Sequence, residues 1–175
     1  MNTKTEQIGA DKVAKGLYIK DILLKEIKYK THLNPIFSRQ VQEIESEYEL
    51  NVSHKKRSKK NYLVNLSFGL NVYDKSTKEK VFDILVEVQG DFEFVNFEKE
   101  KVNFMIYSFC ANTLFPFVRT HIAQTVILSG YKPLLLAPID FEKLYLSSLK
   151  EKQTPEKTTS HNSSATQATG NKKVH

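Results

Sequence analysis

The 175-residue chain is 40% hydrophobic and 26% charged, the composition of one globular domain of about 120 to 150 residues with polar extensions. Its charge of +6 and pI of 9.2 raise a nucleic-acid reading, but the excess sits in HKKRSKK at 54 to 60, with five Lys or Arg and no acid, and in residues 150 to 175, with five lysines against two glutamates. The rest is slightly acidic, no apolar run approaches the ~20 residues of a membrane span, residues 1 to 16 lack a signal-peptide core, and the single Cys110 cannot form an intrachain disulfide, so a soluble cytoplasmic protein is expected.

Residues 1 to 16 read as a flexible extension, 17 to 150 as the folded domain and 151 to 175 as a disordered tail, because TTSHNSSATQATGNKKVH has almost no large apolar residue to offset its ordering entropy. The first strand, 17 to 30, is apolar on both faces. The second, 39 to 54, alternates with period two: Ile44, Tyr48, Leu50 and Val52 on one face, Glu43, Glu45, Glu47 and Glu49 on the other. HKKRSKK then suits a solvated hairpin loop. In the third strand, 61 to 73, Tyr62, Val64, Leu66, Phe68, Leu70 and Val72 face one way; DKSTKEK is a turn; the fourth, 81 to 94, turns Phe82, Ile84, Val86 and Val88 inward and Asp83, Glu87 and Gln89 outward. Short polar connections predict an antiparallel meander with one buried face.

After Phe97 the period becomes helical, with Val102, Ile106 and Phe109 in step. Pro116 lacks an amide donor and is expected to kink or break this helix near residues 112 to 115. Gly130 suits the left-handed residue after its end. Asp140 is the expected N-cap of a second helix with Phe141, Leu144, Tyr145 and Leu149 on one stripe. The fold class is α+β: a four-stranded antiparallel sheet followed by two helices packed on one face, in two layers.

One helical pair covers one sheet face, yet strand one is apolar on both faces, the long helix is apolar nearly all round, and YKPLLLAPI at 131 to 139 is apolar but extended. The surplus predicts an obligate oligomer, with Ile106, Phe109, Phe115, Phe117 and His121 at the subunit interface, against the alternative of a monomer with a thick core. The extended piece points its leucines alternately, so an apolar groove walled by Leu134 or Leu136, Phe141, Leu144 and Tyr145 and floored by Ile44 and Tyr48 would accept extended apolar peptide. One buried side chain contributes only a few kcal/mol. Useful grip therefore needs several grooves holding one long chain.

The run NTLFPFVRTHIAQTVILSGYKPLLLAPIDFEKLY resembles the SecB export chaperones, whose members carry an LFP-aromatic-x-R helix, a Gly-ended turn, a Pro-Leu-x-LAP-x-(Asp/Asn)-Phe segment and a terminal helix. With the order of four strands and two helices, the resemblance covers about residues 17 to 150. It implies a homotetramer built as a dimer of dimers, binding unfolded secretory preproteins without nucleotide and delivering them to the SecA motor. The extended segment YKPLLLAPI at 131 to 139 would be the family's crossover loop. It further implies an acidic motor-docking patch on the outer sheet face, here Asp21, Leu85 and Glu87, with Lys25 departing from a second acidic position on strand one. SecB-like relatives also act as dedicated chaperones of single partners such as antitoxins, which is the competing reading.

Other chemistry is weakly supported. The histidines at 32, 54, 121, 161 and 175 have no ligand spacing with the cysteine, so no metal and no cofactor are expected. The alternating glutamates read as a solvated face or patch rather than an acid/base pair, and no phosphate loop or nucleophile motif appears, so enzymatic activity is not expected. Cys110 reads as packed. HKKRSKK has no interleaved aromatic residues for base stacking, so a hairpin tip is preferred over an RNA site, and no direct membrane insertion is expected.

Overall fold

The computed structural model describes residues 15–33 and 43–153. Nearly all of the expected N-terminal extension, residues 39–42 of the expected second strand and the expected tail beyond 153 lie outside the described residues. Four strands, β1 (Gly16–Thr31), β2 (Ile44–Lys56), β3 (Asn61–Asp74) and β4 (Lys80–Val95), form one antiparallel sheet in the order β1-β4-β3-β2. The expected meander thus holds for β2, β3 and β4 only. Tight turns make β2–β3 and β3–β4 hairpins, whereas the connection from Thr31 to Ile44 exceeds the ~2–5 residues of a hairpin loop and carries the chain from one sheet edge to the other. The result is a Greek-key order with β1 on β4.

The alternation read from β3 and β4 is a burial pattern: Val64, Leu66, Phe68, Leu70 and Val72 on β3, and Ile84, Val86 and Val88 on β4, are all at most 2% exposed. Burying such a side chain stabilises by about 1.5–3 kcal/mol, and this central pair anchors the core. On β1 the register slips twice, between Ile19 and Asp21 and between Leu24 and Glu26. These β-bulges explain why β1 reads as apolar on both faces: each extra residue restores the inward phase after a polar interruption. At Gly90 an added Cβ would lie 2.4 Å from the Phe92 ring and 3.0 Å from Leu114, so the residue lets the helical layer approach β4 closely.

The helical layer begins with a rod made of α1 (Lys99–Met105), a π-helical segment (Ile106–Cys110) and α2 (Ala111–Leu128). Pro116 does not break it. Pro116 and Asn112, whose carbonyl loses its amide donor, are both on the exposed side, where the carbonyl is open to solvent rather than buried unpaired. The irregular segment lies earlier, for a reason of phase. Val102, Ile106, Cys110, Leu114, Val118, Ile122 and Val126 are all buried at intervals of four, which in an ideal α-helix overshoots by about 40° per step. The extra residue of the π segment takes up part of that drift and keeps the stripe on the sheet.

Both expected helix signals are met. Gly130 has φ 86°, its N–H donates to the Ile127 carbonyl at 2.9 Å, and the Tyr131 N–H donates to Val126 at 3.2 Å, a Schellman end to α2. The last helix, α3 (Phe141–Gln153), is capped by Asp140, whose Oδ1 accepts the Lys143 N–H at 2.9 Å. It runs three residues into the stretch expected as tail. Among the described residues no helix is long and apolar enough to cross a membrane.

Cys110 is fully buried on the rod, and burial pushes its thiol up to about 12. The native protein is expected to ignore a thiol reagent at neutral pH and to react fully once unfolded in guanidinium. Rapid native labelling would contradict the packing of the rod.

Candidate functional site

The groove read from the sequence is assembled by rings. Tyr48 on β2 stacks on Phe68 (5.5 Å between centroids, 10° between planes), Phe68 meets Phe115 of α2 at 5.9 Å, and Phe115 meets Phe141 of α3 edge-on at 5.5 Å. A second series joins α3 to the other end of β2: Tyr145 stacks on Tyr107 at 5.4 Å, and Tyr107 meets His54 at 5.9 Å. Offset and edge-on pairs of this kind add about 0.5–1.5 kcal/mol each beyond their burial, so α3 is held against β2 at two places.

Of the seven expected groove residues, Leu134 (8% exposed) and Phe141 (3%) are sealed and act as the backing wall. Leu136 and Tyr145 are half-buried; Ile44, Tyr48 and Leu144 are exposed. The extended segment alternates as its period requires: Leu134 enters the core, Leu135 points away at 67% exposure, and Leu136 lies against the core edge. Where α3 begins, a cleft of about 390 Å³ opens between the rod and the helix start, with Met105, Phe109, Asn112, Ile139 and Phe141 in its wall and the carboxylates of Asp140 and Glu142 beside them. Such a cavity suits an apolar side chain.

The expected interface residues divide. Ile106 (0%) and Phe115 (3%) are inside the single chain, packed against the sheet, and are not available to a partner subunit. The inward stripe of the rod claims them. Phe109 (46%) and Phe117 (43%) stand outward two helical turns apart, with His121 half-buried one turn further. The outward side is therefore not uniformly apolar: phenylalanines alternate with Asn112, Thr120 and Gln124. Uncovered apolar side chains also remain on the inner side of both sheet edges, as Ile19, Leu24 and Ile27 on β1 and Ile44 and Tyr48 on β2.

On the outer sheet face, Leu85 lies opposite Lys28 and Glu87 opposite Glu26, while Asp21 lies opposite Asp91, two outward positions along β4. Two like-charged pairs, Asp21/Asp91 and Glu26/Glu87, thus face each other across β1 and β4, an unfavourable arrangement by itself. The bulges offset it. Each inserts a lysine: Lys25 Nζ reaches Glu87 at 2.9 Å and Lys20 Nζ reaches Glu93 at 2.5 Å, which raises the Lys20 pKa. Arg57 holds Asp91 at 3.0 Å, and the hydrogen bond from His32 at 2.5 Å keeps Asp83 below the usual carboxylate range. The acids of β4 are therefore internally compensated, and Lys25, the position that departs from the resembled pattern, is the partner of Glu87. Glu47 and Glu49 on β2 have no ion-pair partner among the described residues.

Sequence reasoning missed Tyr107, Met105 and Ile139 as site residues. Tyr107 had a signal, since Phe104 and Tyr107 stand three apart on one helical stripe and both meet Tyr145. Ile139 had none, because only the turn into α3 places it beside the rod.

The sequence profile of preprotein translocase subunit SecB matches residues 9–152. Protein-export protein SecB of Nitrosococcus oceani is 30% identical over 136 residues, covering 78% of this chain and 83% of its own. Protein-export protein SecB of Legionella pneumophila (strain Corby) is 31% identical over 153 residues, covering 87% and 90%. A Mycobacterium tuberculosis SecB-like chaperone, solved in complex with a peptide from an antitoxin, shares the fold at a TM-score of 0.61 and 16% identity over 70% of this chain and 90% of its own. The matched span contains the Greek-key sheet, the helical rod and the proline-bracketed segment together, and on that ground the chain belongs to the SecB family of chaperones.

Proposed function

We propose that this SecB-type chaperone is an ATP-independent holdase, assembled as a homotetramer, that keeps unfolded preproteins competent for translocation and delivers them to the SecA motor in the cytoplasm. One observation supports the reading above others: Tyr48, Leu136, Leu144 and Tyr145 remain open or half-open along two ring series that fix α3 against β2. A rigid wall with uncovered apolar faces gains from any extended apolar segment without needing a particular sequence. Each contact is worth a few kcal/mol, so a long client is held through several grooves at once. No covalent step and no cofactor enter this function.

Motor docking through Asp21, Leu85 and Glu87 meets an obstacle in the Lys25–Glu87 pair. Lys25→Ala is expected to tighten binding of the motor's basic tail by about two- to fivefold at low salt, the scale of an exposed ion pair. Unchanged binding in a calorimetric titration would remove Glu87 from the docking patch. The same pair favours a second reading, a chaperone dedicated to one partner, in line with the antitoxin peptide on the mycobacterial SecB-like protein.

The two readings part in one experiment. Aggregation of an unrelated unfolded polypeptide is followed by light scattering without ATP, and bound proteins are compared with SecA in a pull-down. Broad suppression with SecA capture supports the export holdase. One tight partner with no general suppression supports the dedicated chaperone, and failure of both overturns the groove assignment.

A further inference from the structure

We propose that the β2–β3 hairpin end is a docking surface for anionic lipid bilayers, a role independent of the client groove. The tip carries Lys55, Lys56, Lys59 and Lys60, all exposed, and among the described residues none of them meets a carboxylate. Lys15 joins them at the same end of the sheet: Gly16 pairs with Val95, and the Phe94 N–H donates to the Lys60 carbonyl at 2.8 Å. Most of the acids there are already occupied, and Glu100, which has no ion pair among the described residues, is outnumbered by the exposed lysines. Arg57 holds Asp91, Lys20 holds Glu93, and Lys101 holds Glu98 at 2.7 Å, so the net potential of this end is positive.

Three features favour a lipid surface over other anions. Four of the tip's backbone donors are spent inside the tip: the Arg57 and Ser58 N–H groups donate to the Asn61 carbonyl, and the Lys60 and Asn61 N–H groups donate to Ser58 Oγ. No amide cradle is left for a single phosphate. Two of the aromatic faces at this end are covered, since Lys56 lies over Tyr62 at 5.7 Å and Lys15 over Phe97 at 4.6 Å, and Tyr18, open at 53% exposure, is a single ring rather than the series of platforms on which successive bases stack. What remains is a cluster of exposed ammonium groups at one end of the sheet, which needs only a plane of negative charge. Near such a surface each lysine is worth about fivefold in partition.

The test is co-sedimentation of the full chain with vesicles of phosphatidylcholine alone and of phosphatidylcholine mixed with phosphatidylglycerol. Binding is expected only to the mixed vesicles, to weaken as salt rises, and to fall by about two orders of magnitude or more when Lys55, Lys56, Lys59 and Lys60 are all changed to glutamine. Lys28→Gln with Lys30→Gln, toward the other end of the sheet, is expected to bind within about fivefold of the unmodified chain. Salt-insensitive binding by the unmodified chain overturns the proposal without any variant. Retention of binding by the quadruple variant overturns it as well. Tighter binding to polyuridylate than to mixed vesicles at the same salt replaces the lipid with RNA.

Discussion

Phe115→Ala is expected to lower the stability of the folded subunit by about 3–5 kcal/mol, read as a shift of the urea unfolding midpoint at unchanged slope. The side chain is 3% exposed and is the central ring between Phe68 of the sheet and Phe141 of α3. Truncation opens a cavity between Phe68 and Phe141 and removes the ring that joins α3 to the sheet. Client binding should fall with it. Phe117→Ala, two residues along and 43% exposed, is expected to change subunit stability by at most about 0.5 kcal/mol. The contrast separates a core ring from an outward one: equal effects would show that the rod is rotated from the orientation described.

Phe109→Asp combined with Phe117→Asp is expected to break the proposed tetramer, read as a fall in mass by sedimentation. The two rings are about half exposed on one side of the rod and are the largest apolar groups there. Covering them against a sister chain is worth roughly 1–2 kcal/mol each, and a carboxylate in their place adds a desolvation penalty of several kcal/mol. Together these reach on the order of 5 kcal/mol per subunit or more. Since neither ring enters the subunit core, the variant should keep its helical content by circular dichroism. Unchanged mass would remove the outward face of the rod from any interface and turn attention to Ile19, Leu24 and Ile27 on β1.

What could be read from the sequence alone is whatever is decided within a few residues. Side chains alternate across a strand and repeat along a helix, so the inward faces of β3 and β4, the Gly130 helix end and the Asp140 cap follow from spacing and residue type. The resemblance rests on the same kind of short-range pattern, LFPFVR and LLLAPIDF in order. Tertiary structure decided everything that joins distant positions. It placed β1 beside β4 rather than β2, a choice that strand spacing cannot make, because the two hairpins leave both outer edges, β2 and β4, open. It paired Lys25 with Glu87 through a bulge, turned Ile106 and Phe115 into the core while leaving Phe109 and Phe117 outside, and put the irregular turn where the four-residue stripe loses phase rather than at Pro116. Periodicity states which residues share a face; only packing states what that face meets.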